Sequence, residues 1–216
     1  MDSVGVMNDA PAGQFAGLLL YLSAWSVMMA SMMLPSALPM LALYGSVAKR
    51  HSSPALPGLP TLLFALAYLV MWAATGIPIY AASQGLAHVT ATSPGAAHLL
   101  PYALGVVLLM AGAYQWTALK ERCLRICRSP LGFLMGHWRS GYLGALRMGW
   151  EHSLSCIGCC WALMVVVVAA GAMALPWVLA ISVVIFVEKL LPYGTYSARI
   201  AGCVLAAMGV ANILHG

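Results

Sequence analysis

Between Ile157 and Val187 the chain carries no charged residue. A run so long and so apolar cannot coat a water-facing domain. It also exceeds the roughly 20 residues that cross a bilayer as one helix. It therefore predicts two membrane helices, divided at Gly171 to Pro176, because proline suits a helix start. The rest of the chain agrees. Of 216 residues, 62% are hydrophobic and only 7% are charged, against about 25% charged in soluble domains. In a bilayer each segment must satisfy its own backbone polar groups, which selects helices.

The expected fold is all-α, a polytopic membrane helix bundle forming a single integral membrane domain over residues 1–216. It has six transmembrane helices, with short interfacial helices in the 3–4 loop. The spans fall at about 14–43, 60–82, 98–119, 155–174, 176–191 and 197–214. The first is long enough to tilt, or to bend at Pro35 and Pro39. Residues Ser52 to Pro60 form a Pro-rich turn, and Ser83 to Ala97 a Gly/Ser/Ala-rich external loop. The first dozen residues carry Asp2 and Asp9 and no basic stretch, so a removable signal peptide is not expected.

Orientation follows from the basic residues. Lys49 and Arg50 follow span one, and Lys120, Arg122, Arg125, Arg128, Arg139 and Arg147 follow span three. Lys189 and Arg199 flank the link after span five. All ten fall on one side of a six-span arrangement. The prediction is a bacterial inner membrane protein with both termini outside, in the periplasm, and a cytoplasmic loop over 120–153. That loop alternates basic and apolar residues, as interfacial helices with arginines toward lipid phosphates would. The net charge of +5 does not argue for nucleic acid, since no soluble basic domain exists to form a groove.

Three of the six cysteines lie within five residues, in His152-Ser-Leu-Ser-Cys156-Ile-Gly-Cys159-Cys160. On a helix His152, Cys156 and Cys159 share a face, with Cys160 beside them. Thiolate, thioether and imidazole are ligands of Cu(I), and of Zn(II) without the thioether. One helix cannot surround an ion, because His152 and Cys160 would stand about 12 Å apart along the axis. Cys123 and Cys127, also one turn apart, sit at the same end of span three and can supply the missing half. Arg122, Arg125 and Arg128 beside them favour thiolate. The competing reading for all of these cysteines is packing, and Cys203, alone in span six, reads that way. A disulfide is disfavoured on the reducing cytoplasmic side.

Span one holds Met28/Met32 and Met29/Met33, each pair with two thioethers one turn apart, a spacing useful for passing Cu(I) across a membrane. Packing is the competing account. Glu188, inside an apolar span beside Lys189, is either a functional acid or half of a snorkelling ion pair. Gly105 and Gly112 can line helix contacts. His88 and His98 read as solvated, and His51, His137 and His215 have no partner in sequence. No nucleotide-binding, triad or zinc-protease motif appears, so nothing in the sequence signals an enzyme.

Four stretches carry a family resemblance: Trp25 to Pro39, Tyr114 to Trp138, Gly144 to Met164, and Glu188 to Pro192. Their order resembles a bacterial family of predicted metal-binding integral membrane proteins, domain of unknown function 2182. Ser153 stands where that family is expected to have glycine. The resemblance implies a multi-span membrane protein with suspected metal binding and no established reaction.

The leading expectation is a metal-handling inner-membrane protein, with Cu(I) ahead of Zn(II). Met28, Met29, Met32 and Met33 form a thioether path, and Cys123, Cys127, His152, Cys156, Cys159 and Cys160 a cytoplasmic-side thiolate site. Beyond the lipid bilayer, its partner would be a membrane metalloenzyme or other membrane subunits. Two alternatives stand beside it: an accessory subunit of a larger membrane complex, and a membrane thiol-disulfide oxidoreductase working through the Cys156/Cys159 C-x-x-C.

Overall fold

A computed structural model describes residues 11–51, 58–93, 95, 98–170, 175–191 and 193–215. Asp2, Asp9, Ser52 to Pro57, the end of the expected external loop and the Gly171 to Ala174 split lie outside them. The described residues form helices and no strand. In chain order these are α1 (Pro11–His51), α2 (Leu59–Ala74), α3 (Gly76–Thr92), α4 (Leu100–Tyr114), α5 (Ala118–Arg128), α6 (Pro130–His137), α7 (Gly141–Ala169), α8 (Leu175–Leu190) and α9 (Gly194–His215).

Among the described residues four helical stretches are long and apolar enough to cross a membrane: Phe15–Arg50, Leu59–Thr92, Gly141–Ala169 and Gly194–His215. The pair α4 and α5, bent by 65°, raises the number to five if it counts as one span. Among the described residues the fifth expected span, α8, has 16 residues, short of the roughly 20 that cross the hydrocarbon core. The exterior of the bundle is apolar, with Leu20, Val27, Met110 and Leu143 exposed. Lipid tolerates such a surface, whereas water penalises large apolar patches.

Several helices run further than the sequence predicts. α1 passes unbroken through Pro35 and Pro39 to His51. The stretch from Ser83, expected as loop, stays helical to Thr92. Its Ser83, Thr90 and Thr92 hydroxyls donate back to carbonyls of the preceding turn, within 3.0 Å, so they are satisfied without leaving the helix. The fourth expected span, placed from about 155, continues a helix that starts at Gly141. The 3–4 connection is otherwise two short helices. Thr117, extended at φ −75° and ψ 145°, accepts the Lys120 N–H and starts α5. Ser129 caps α6 by accepting the Gly132 N–H, with Pro130 in its first turn.

α7 is the axis of the molecule and packs on α2, α4, α5 and α8. Gly149 lets it approach α2, because a β-carbon there would collide with the Phe64 carbonyl. α4 and α9 meet through four glycines. A β-carbon on Gly112 would lie 2.8 Å from the Gly202 carbonyl, and one on Gly209 2.8 Å from the Gly105 carbonyl. Gly105 and Gly112 thus line a helix contact, as the sequence predicts, through the backbone closeness that small residues permit.

Candidate metal site

The inward face of α7 carries the histidine and cysteines. His152, Cys156, Cys159 and Cys160 are all buried, and Met148 and Met164 extend the same stripe. α5 reaches this face through Lys120, Leu124 and Cys127, spaced four and three apart on one side of the helix. The Cys127 and Cys159 sulfurs stand 3.8 Å apart. With Cys156 they form a group of three sulfurs, all within 4.8 Å of one another. Three sulfurs sharing one ion through bonds of about 2.3 Å would stand about 4 Å apart. A small side-chain closure therefore makes the trio a three-sulfur cradle.

Cys123 is not in that trio. Its sulfur packs over Gly158, where a β-carbon would come within 2.6 Å of it. Glycine between the cysteines of α7 is what lets α5 lie close enough to deliver Cys127. Cys160 donates to the Cys156 carbonyl at 2.8 Å, turning its thiol along the helix. His152 lies between the rings of Phe64, Tyr68 and Phe133, with centroids 5.3–5.9 Å away. Its Nδ1 has no hydrogen-bond partner among the described residues. Cys203 is exposed, away from the core.

Two residues that the sequence reading did not place at the site lie against Cys156. The Tyr68 hydroxyl is 3.1 Å from the Cys156 sulfur. Phe64, Tyr68 and Trp72 form a buried aromatic stripe at four-residue spacing on α2, which the sequence could have flagged as a face turned inward. Lys189 is the second. It is buried, and its ammonium donates to Cys156 Sγ at 2.9 Å and Ser36 Oγ at 3.2 Å, and reaches Met33 Sδ at 3.9 Å. Of the two readings of Glu188, the snorkelling pair with Lys189 does not form, because neighbours on a helix point about 100° apart. Glu188 instead pairs with Lys120 at 2.7 Å, both of them buried, and Lys120 also donates to Gln115.

The cation at the thiols is thus Lys189, not an arginine of α5. Arg125 turns to Glu121 at 3.3 Å and Arg128 to the Leu191 carbonyl at 2.7 Å. Lys120 and Lys189, counted above among loop charges, lie in the interior. Glu188 neutralises Lys120, which leaves Lys189 to face Cys156. A buried ammonium needs compensating partners, and the Cys156 sulfur, the Ser36 hydroxyl and the Met33 thioether surround this one. Of the methionines, Met29, Met32 and Met33 are buried and Met28 packs partly buried against the same core. Met33 touches the site through Lys189.

The fold and site define an all-helical protein with an apolar exterior and a buried sulfur cluster suited to a soft metal ion. Residues 22–212 match the family model described as "PpoB2: Copper chaperone", and the chain belongs to that family. This agrees with the metal-related character that the sequence resemblance implies. No curated protein and no solved structure matches the chain.

Proposed function

We propose that this protein is a membrane-embedded Cu(I) chaperone that holds its cargo on Cys127, Cys156 and Cys159. The observation that carries the reading is the convergence of these three sulfurs from two helices within 4.8 Å. Three thiolate sulfurs suit Cu(I), whereas a structural Zn(II) site takes four ligands. His152, the obvious fourth ligand, is held among aromatic rings instead. Met28, Met29, Met32 and Met33 are the thioether approach along α1, with Met33 at its inner end. Cys123 and Cys160 serve as neighbouring thiols rather than primary ligands. The protein sits in the inner membrane with both termini outside, and it delivers copper to a membrane metalloenzyme. Its likeness to domain of unknown function 2182 is part of the same proposal.

Thiol-disulfide exchange with a partner requires an accessible sulfur, and Cys156 and Cys159 are each only 1% exposed. That burial favours metal over exchange chemistry. The test is anaerobic Cu(I) titration of the detergent-purified protein. Wild type binds a single Cu(I) per chain. Cys127→Ser, Cys156→Ser and Cys159→Ser each weaken it at least tenfold, while Cys203→Ser does not. A wild type that retains no copper, or binding indifferent to all three replacements, refutes the proposal.

A further inference from the structure

Lys189 occupies an unusual position for a lysine. Its ammonium touches the Met33 thioether of α1, the Ser36 hydroxyl one turn along, and the Cys156 sulfur of α7. An ammonium has three donors, and all three are engaged. The ammonium is therefore a resident monovalent cation seated between the innermost sulfur of the thioether approach and the first sulfur of the thiol trio. A second cation at that point would meet like charge at contact distance, in surroundings too apolar to screen it.

We infer that Lys189 is a gate for copper transfer, its ammonium standing between Met33 and Cys156 in place of the ion and swinging aside each time Cu(I) crosses. The inference rests on the copper reading above. Transfer is then an exchange of one cation for another. Cu(I) gains the Cys156 sulfur as the ammonium leaves it, and no electron moves. A lysine suits the task because its charge rides on a flexible four-carbon stem. Ser36 provides the alternative partner. Its hydroxyl accepts from Lys189 at 3.2 Å and donates to the Met33 carbonyl at 2.9 Å, so it stays anchored on α1 while the ammonium releases Cys156. Neither Glu188, paired with Lys120, nor any other carboxylate is in contact with this ammonium among the described residues.

The test is the rate of Cu(I) exchange between the full-length detergent-purified protein and a chromophoric Cu(I) chelator, for wild type, Lys189→Met, Lys189→Arg and Ser36→Ala. Lys189→Met removes the charge at similar volume and should exchange at least tenfold faster. Lys189→Arg keeps the charge on a planar group less easily moved aside and should exchange more slowly. Ser36→Ala removes the resting partner and should also slow exchange. If Lys189→Met does not remain folded by size-exclusion chromatography, slowing in both other variants still supports the gate. Unchanged rates in those variants, or a folded Lys189→Met that exchanges no faster or loses copper, overturn it. A wild type that binds no Cu(I) overturns the copper reading itself, whereas normal binding with unaltered kinetics overturns only the gate.

Discussion

Replacing Lys120 with methionine tests how α5 is held against the core. Its ammonium lies 2.7 Å from Glu188 Oε2, with side-chain exposures of 1% and 2%, and also donates to Gln115. Lys120→Met keeps the volume but strands the Glu188 carboxylate in an apolar interior. Removing one partner of a buried pair costs about 3–5 kcal/mol. At about 1.4 kcal/mol per decade that is two to nearly four orders of magnitude in the folding equilibrium. For a chain of this size it lowers the midpoint of thermal unfolding by about 6–20 °C. The assay is thermal unfolding in detergent by circular dichroism, with maleimide labelling of Cys127 alongside. Cys127 lies two turns beyond Lys120 on the same face of α5, so its labelling should quicken as α5 loosens. Glu188→Leu added to Lys120→Met removes the stranded charge and should recover most of the loss, since apolar replacement of a buried pair is often neutral or stabilising. The reasoning is refuted if Lys120→Met costs less than about 1 kcal/mol, or if the double variant is as unstable as the two single losses added.

Two further outcomes are expected. Gly158→Ala places a β-carbon 2.6 Å from the Cys123 sulfur and should cost about 1–3 kcal/mol as an overpacked contact. Adding Cys123→Ala should relieve it in the same unfolding assay, and a Gly158→Ala protein as stable as wild type would show that α5 does not press on α7 there. Met33→Leu conserves volume and should cost less than about 1.5 kcal/mol, yet it should slow copper loading several-fold. Met110→Leu, on the exposed outer surface, should leave loading unchanged. Equal rates for both would remove Met33 from the path.

The sequence by itself determined that the chain is helical and apolar outside, because charge-poor runs of about 20 residues admit little else. It also placed on one helix face the α7 thiols Cys156 and Cys159 that enter the sulfur trio, together with His152 and Cys160, which do not. His152, Cys156, Cys159 and Cys160 share a face because the helix period of 3.6 residues puts them there. That Cys127 is the thiol of α5 that reaches them was legible only as one of a pair. Cys123 and Cys127 are equivalent by spacing, and the choice between them depends on how α5 is turned. That turn is set by Lys120 pairing with Glu188 and by Gly158 making room for Cys123, both contacts between helices distant in sequence. Lys189 was misread for the same reason. Next to Glu188 in sequence it invited a local ion pair, but the helix points the two side chains to different neighbours. Periodicity within a segment fixes which residues share a face. Only the packing of α1, α2, α5 and α8 around α7 decided which atoms surround Cys156: a tyrosine hydroxyl, a lysine ammonium and two further sulfurs.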